Sequence, residues 1–544
     1  MVSTTYPKKI LLDAVGASEK EIVAVLHDIK CSVESSDNEG ITVEMTGDRP
    51  DLLSVYGGAR ALRGYLGKQS GLAACDFAPS GIKVFVEPEA ESIRPVLVAA
   101  VVRDVQLDDA KIQHLFQVQE KLDMTNGRRR KKGSIGLYDL DNLKPPFHLK
   151  NASMDTAFHP LKADKKMTVK QILAEHPTGR DYAHLVKGKN YPMLVDSKGE
   201  ILSLVDIING VSSAVTEKTK NVFIDITGTD LYSCNATLNV LCQDFADQGA
   251  TVQTVDIHHA SKKLVTPDTK PEKFVLNVDR VNKLLGTTLP PKKVVELLRR
   301  QRLDVTVGRE VLECFTPRYR SDFLHEIDLV EEVALAHGYN NFPIKEPAMF
   351  TVGSKSRQTY ITQDARDVLA SFGFVEAMTH VFFAPHKADR SRSSERLVEI
   401  ANPVSEEYTA LRSEILPSLL EVLSKNTHQP YPQNIFEVGE VIVHDGKSST
   451  QTRTDVQACL VAAHPAASLS EVASLHDMFA KRLGHKAVLK PLSHERFIGG
   501  RAASIHHGAE KTGFLGELHP QVLENYGIAV PVSVFEIRLV KGEH

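Results

Sequence analysis

Residues 319 to 340 read YRSDFLHEIDLVEEVALAHGYN, a stretch that sets Asp322, Asp328, Glu331 and Glu332 into an otherwise apolar run. The periodicity predicts a helix from about residue 322 to a stop at Gly338, with Leu324 and Leu335 bracketing an acidic stripe and Ile327, Val330, Val333 and Ala334 covering the rest. A helix that is apolar nearly all round has to be mostly buried. Asp328, Glu331 and Glu332 are spaced i,i+3 and i,i+4, where like charges each cost roughly 0.2–0.5 kcal/mol. Any fold built around this helix must therefore supply a compensating charge. Two accounts are open from the residues alone: a hard cation, Mg²⁺ or Ca²⁺, held by carboxylate oxygens, or a first helical turn whose dipole favours acids, with Asp322 as N-cap.

The chain around this helix has 544 residues, enough for three or four domains with cores of their own. A formal charge of −4 is too small for its size to draw the whole molecule to nucleic acid or membrane, so such binding needs local patches. The six cysteines (31, 75, 234, 242, 314 and 459) form no CxxC pair and no zinc-ligand spacing, which points to a reducing, cytoplasmic setting. The N-terminal MVSTTYPKKILLDAVG lacks a signal-peptide core, and no run of about 18 apolar residues appears, so a soluble chain without membrane partners is expected.

Four segments are predicted, giving an α+β multidomain protein. Residues 1–81 read as a small α/β unit: strand Ile41 to Met45, a turn at Gly47-Asp48, Pro50 in a first helical turn, then Leu52, Val55, Ala59, Leu62 and Leu66 at helical spacing, with Arg49, Arg60 and Arg63 on a solvated polar face. After a linker-like DFAPSGI, residues 82–268 read as an α+β domain, with strand runs such as VLVAAVVRDV, SIGLYDLD and NVFIDITGTD and helices at 108–123 and 229–247. It holds the basic run Arg128 to Lys132, either a phosphate grip or a solvated loop, and DITGTD, whose Asp225, Thr227, Thr229 and Asp230 suit turn chemistry as well as a site. Residues 272–348 read strand, helix, helix, hairpin near Gly308-Arg309 and acidic helix, a winged-helix-like order. Residues 352–544 read as a large antiparallel sheet with helices on one face. There is no GxGxxG or GxxxxGK[ST] fingerprint, and His380, His506 and His507 lack the partners of a catalytic base.

In order along the chain, GDRPDLLSVYGGARALRGYLG, SIGLYDLDNLKPPF, EHPTGRDYAHL, FIDITGTD, PRYRSDFLHEIDLVEEVALAHGYNNFP, ANPVSEEYTALRSEILPSLLEVLSKN and FLGELHP resemble the β subunit of phenylalanine–tRNA ligase, of the shorter archaeal and eukaryotic type. The resemblance covers all four segments and leaves no room for the inserted oligonucleotide-binding domain and C-terminal anticodon-binding domain of the longer bacterial form. It implies that Asp322, Asp328, Glu331 and Glu332 bind magnesium, Mg²⁺, with Asp322 entering from before or at the start of the helix and all four carboxylates converging near one point. It implies that the last segment is a class II synthetase-like domain without catalytic residues, against which the α subunit docks, Arg412 being structural. The second segment is implied to be an editing domain. An apolar pocket rejects an added hydroxyl by only about 10²-fold, so tyrosine charged in place of phenylalanine needs a second, hydrolytic site. Asp225 and Thr227 would line it, bonding the tyrosyl hydroxyl or orienting water, with Ser203 and Asn209 nearby, and Val205-Asp206 stands where the family usually has proline. Arg128, Arg129, Arg130 and Lys131 would touch tRNA. The implied assembly is a cytoplasmic (αβ)₂ heterotetramer that joins phenylalanine to tRNA(Phe), with ATP and phenylalanine bound through α. Rival readings are a non-editing nucleic-acid-binding scaffold and a stand-alone Mg²⁺-dependent phosphohydrolase.

Overall fold

Strand Val96–Arg103, VLVAAVVR, has no polar face. In the computed structural model, which describes residues 2–73, 77–186, 191–484 and 486–542, Val96, Val98, Ala100 and Val102 join one buried cluster and Leu97, Ala99 and Val101 another. A strand apolar on both faces must lie inside a sheet covered on both sides. It pairs with Val222–Gly228 on one edge and Thr251–His258 on the other, within a ten-stranded mixed sheet. Helices Asp109–Met124 and Leu231–Asp247 cover one face, their N-termini capped by Asp108 and Asp230. The stretch expected as a linker instead belongs to this sheet from Ala78 onward, as strand Ala78–Val86. Gly81, at φ +74°, lies where its register against Thr251–His258 slips, a kink that reads as a loop in the sequence.

Ahead of this sheet, strands Val2–Pro7, Gly40–Met45 and Cys31–Ser36 form a three-stranded sheet. Pro50 opens a 3₁₀ turn over Pro50–Leu53, and Ser54 then caps a separate helix, Val55–Tyr65. The expected solvated basic face is corrected here: Arg49 and Arg60 are buried. Arg49 grips Asp51 with two hydrogen bonds of 2.8 Å, and Arg60 is paired with Asp247. Beyond the large sheet come strand Glu272–Leu276, helices Val278–Leu285 and Pro291–Arg300, hairpin strands Asp304–Val307 and Leu312–Thr316, and helix Glu326–His337. All of this, through Lys345, is one compact unit, and Glu346 begins a second. The five described cysteines are buried and free, while Cys75 lies outside the described residues.

In the second unit a seven-stranded sheet runs antiparallel except for the parallel pairing of Val375–Glu376 with Gln433–His444. Helices cover both faces, not one as expected. Helices Arg357–Ser371 and Leu469–Arg482 pack on Ala458, Leu460 and Ala462, and helices Leu416–Lys425 and Pro520–Tyr526 pack on Cys459, Val461 and Ala463. The reason is legible in the central strand, whose ACLVAA has no polar alternation. Arg412 is 1 % exposed, and its guanidinium donates to Glu437 Oε1 at 2.8 Å, Thr379 Oγ1 at 2.7 Å and Glu440 O at 2.9 Å. Every arm of the side chain is used within the fold. Arg412→Met should lower the unfolding free energy of the second unit by about 3–5 kcal/mol, read from urea transitions, because it leaves Glu437 buried and unpaired.

Candidate functional site

The strand pair Gly133–Asp139 and Val222–Gly228, at one end of the ten-stranded sheet's order, sets the site. Asp225 lies opposite Gly136 and Thr227 opposite Ser134, so Ser134, Gly136, Tyr138, Asp225 and Thr227 share one face by the two-residue period of strands. Ser203 pairs with Asn209 on the neighbouring hairpin. A cavity of about 160 Å³ opens between these elements, lined by Asp225, Thr227, Ser203 and Asn209 together with Tyr138, Asp206 and Arg130. The four expected pocket residues are thus brought together. The volume is on the scale of a benzene-sized cavity, ~150 Å³.

Asp225 is 3 % exposed, and its Oδ1 is buried with no hydrogen-bond partner. Burial pushes its carboxyl up to about 7; the Tyr138 hydroxyl beside it works to lower it, and the charge of Asp206 works to raise it further. Tyr138 in turn meets Ser203 Oγ at 2.9 Å. Gly136 is required here, since a Cβ on it would collide with both Asp225 Oδ1 and the Tyr138 hydroxyl. The sequence reading gave no role to Tyr138 or Gly136. Their alternation in SIGLYD, two residues apart on a strand that also presents Ser134, was the available signal.

The basic run divides. Arg128, Arg129 and Lys131 are exposed, whereas Arg130 turns inward. Its Nη1 donates to Asp206 O at 3.0 Å and Ile207 O at 2.9 Å, and its guanidinium lies 4.0 Å from the Tyr182 ring centre. The turn holds Arg128, Arg129 and Arg130 at φ +48°, +53° and +62°, three successive side-chain-bearing residues in the left-handed region. Arg94 braces it by donating to Arg130 O at 2.7 Å and Lys131 O at 3.2 Å, and is ion-paired with Asp206. Nothing in the sequence marked Arg94, which is distant in the chain from everything it holds.

The four carboxylates expected to converge on magnesium are placed differently. Helix Glu326–His337 begins four residues after Asp322, with His325 as N-cap. Asp322 accepts two hydrogen bonds from Arg320, at 2.7 and 2.5 Å, and Arg320 also donates to Glu332 Oε1 at 2.7 Å. Burial acts to raise the Asp322 carboxyl, but the Arg320 guanidinium outweighs it and holds the group below the usual range. Glu331 pairs with Lys30 at 3.0 Å, and Asp328 Oδ2 accepts from the Leu324 and His325 backbone N–H groups at 2.7 Å. Among the described residues no group of three or more His, Cys, Asp or Glu side chains is arranged to hold a metal ion. As placed within this chain the set does not fit a single cation: a guanidinium and a lysine supply the charge, and Asp328, not Asp322, serves the helix start.

Three parts of this architecture, the mixed sheet with its polar cavity, the small helix-and-hairpin module and the helix-covered antiparallel sheet, each fall within the match of a family model, two of them of tRNA synthetases. Residues 119–241 match the B3/4 domain, 274–339 the tRNA synthetase B5 domain, and 343–539 the phenylalanyl tRNA synthetase beta chain CLM domain. The phenylalanine–tRNA ligase beta subunit of Thermococcus sibiricus is 37 % identical over 497 residues, covering 90 % of this chain and 89 % of that protein. That of Archaeoglobus fulgidus is 36 % identical over 533 residues, covering 96 % of each. A crystal structure of an N-terminal fragment of the phenylalanyl-tRNA synthetase beta subunit from Pyrococcus horikoshii aligns with a TM-score of 0.60 at 33 % identity, covering 62 % of this chain and 99 % of that one. The chain belongs to the phenylalanine–tRNA ligase beta subunit family.

Three outcomes follow from the charges. Arg320→Met should destabilise the first unit by about 3–5 kcal/mol by stranding Asp322 and Glu332, and a chelator should leave the unfolding midpoint of the wild-type chain unchanged. The Asp225 carboxyl, at about 7 against an ordinary 3.8, binds its proton more tightly in the folded state. Its stabilising contribution is therefore complete below about pH 4 and lost as pH rises through 7. Asp225→Asn should gain on wild type between pH 5 and pH 8 by on the order of 2–4 kcal/mol, measured as the difference in urea-derived unfolding free energies. A flat difference would mean that the group is ionised throughout.

Proposed function

We propose that this chain, together with an α subunit, joins phenylalanine to tRNA(Phe), and that its own cavity hydrolyses tyrosyl-tRNA(Phe) formed in error. The observation that carries the second part is Asp225 Oδ1, buried at the cavity without a partner. A tyrosyl hydroxyl entering the cavity gives that oxygen its missing hydrogen bond. A phenylalanyl ring leaves it stranded, and sites built to bond a hydroxyl reject analogues lacking one by about 10⁴–10⁵-fold. The same group that accepts tyrosine thus protects correctly charged tRNA. With its carboxyl balanced near neutrality, Asp225 can act as donor or acceptor to the phenol. The Thr227 and Ser203 hydroxyls, on the same wall, are the groups available to orient the attacking water, which splits the ester into free tyrosine and a tRNA bearing its terminal hydroxyl.

Exposed Arg128, Arg129 and Lys131 are the residues of the basic run that can meet tRNA phosphates, Arg130 being committed to the cavity. The second unit, with Arg412 consumed by its own sheet, supplies a docking domain for α in an (αβ)₂ assembly, while ATP and phenylalanine bind α. No step is routed through Mg²⁺ on this chain. Among the described residues no helix is long and apolar enough to cross a membrane, and a cytoplasmic place in translation fits.

The test is deacylation by the purified pair. Wild-type complex should release tyrosine from tyrosyl-tRNA(Phe) and spare phenylalanyl-tRNA(Phe), while Asp225→Ala should slow that release by at least about tenfold, the cost of one hydrogen bond to a buried group, with aminoacylation unchanged. Release no faster than with α alone, or equal in the variant, would leave the chain a non-editing scaffold.

A further inference from the structure

The cavity has a second carboxylate, and its geometry gives it a different task. Asp206 sits on the loop between strands Ile201–Leu204 and Ile208–Asn209 at φ +67°, a left-handed conformation that a residue with a side chain adopts only when its surroundings hold it there. Here they do so on every side. Arg130 donates to its carbonyl at 3.0 Å, Arg94 is ion-paired with its Oδ1, and the Thr227 hydroxyl approaches the same oxygen at 3.5 Å. The side chain is nine-tenths buried and lines the cavity. Both recorded partners of the carboxylate meet Oδ1, so Oδ2 has no hydrogen-bond partner among the described residues. A carboxylate accepts at both oxygens, and one pinned by a guanidinium on the first is pre-oriented to receive a cation on the second.

The remaining charged groups at the cavity narrow what that cation can be. Arg130 is spent on backbone carbonyls, Asp225 is pushed up to about 7 beside the Tyr138 hydroxyl, and Lys162 is itself cationic and offers no acceptor. Burial pushes the Asp206 carboxyl up as well, but the Arg94 and Arg130 guanidiniums and the Thr227 hydroxyl oppose that, so Asp206 is the acid of the cavity with cationic support, a free oxygen and a fixed direction. An aminoacyl ester carries one cationic group, the α-ammonium. Asp225 and Thr227 stand on strand Val222–Gly228, and Asp206 lines the same cavity with its Oδ1 3.5 Å from the Thr227 hydroxyl, so a substrate whose ring reaches Asp225 brings its α-carbon toward Asp206.

We infer that Asp206 is the specificity-determining residue that receives the α-ammonium of the aminoacyl ester on Oδ2, with Arg94 as the positioning residue that pins Oδ1, so that the cavity acts on esters of free α-amino acids. This rests on the hydrolytic reading of the cavity given above. It divides recognition in two: the phenol is read by Asp225 and the amine by Asp206.

The experiment uses the α–β complex, wild type and D206N, with tyrosyl-tRNA and with its α-hydroxy analogue, 4-hydroxyphenyllactyl-tRNA, which keeps the phenol and loses the positive charge. Asparagine keeps an acceptor for Arg94 and Thr227 at the same place. Charge-assisted hydrogen bonds predict that D206N slows release of the amino ester by about tenfold or more and leaves the hydroxy ester within about twofold. Equal slowing of both esters would mean that Asp206 only shapes the loop, and no slowing of either would mean that it does not meet the amine; each overturns the inference while leaving hydrolysis standing. Should wild type release neither ester, the hydrolytic reading fails by itself. Binding of tyrosine methyl ester against its α-hydroxy counterpart then decides for Asp206: a preference for the amine that D206N abolishes upholds it, and no preference overturns it.

Discussion

Four buried arginines in this chain each answer buried carboxylates. Arg49 holds Asp51, Arg320 holds Asp322 and Glu332, Arg412 holds Glu437, and Arg496 holds Glu414, each pair removed from water and bonded within 2.8 Å. Such pairs add little over a well-packed apolar contact, but once built neither member can be lost without stranding the other. They fix the register of the elements that carry them. Asp225 is answered differently: equally buried, it has hydroxyls and a second carboxylate around it in place of a guanidinium, and its Oδ1 has no partner. Burial also pushes Asp123, Asp244 and Glu536 up to about 7 or 8, so a raised carboxyl alone singles out nothing; Asp225 is set apart from them by lining the cavity with its Oδ1 unpartnered.

The acidic helix gives the sharpest contrast between what sequence and structure can say. Its burial and its need for compensation were legible from spacing alone, and the need is met. What met it was not legible, because the compensating groups are Lys30, nearly the whole unit away in sequence, and Arg320, whose position in the same stretch says nothing of its direction. The helix start was misread for a related reason. Asp322 looks like a cap by residue type, but Arg320 claims it, and the dipole is served by Asp328 reaching back to the backbone at Leu324 and His325.

The pocket was legible in a different way. Asp225, Thr227, Ser203 and Asn209 could be placed together because motif resemblance carries three-dimensional information that periodicity does not. Tyr138 and Gly136 were hidden among apolar neighbours, since a glycine's reason is the space that others take up. The doubly covered sheets were misjudged where a small-residue strand such as ACLVAA gave no alternation, although that lack is itself the mark of burial on two sides. Exposure of the basic run was right for three arginine and lysine positions and wrong for Arg130, because charge alone does not say which way a turn faces.

The left-handed turn at Arg128, Arg129 and Arg130 depends for its existence on the region around it. Each such residue costs on the order of 1–3 kcal/mol when it bears a side chain, so the turn has no tendency to form by itself in a free chain. It exists because Arg94 and the Asp206 loop hold its carbonyls and its last guanidinium. The strands and helices around it supply what the turn lacks. This part of the cavity wall thus owes its shape to contacts from two distant segments, Arg94 and the Asp206 loop, and not to its own sequence.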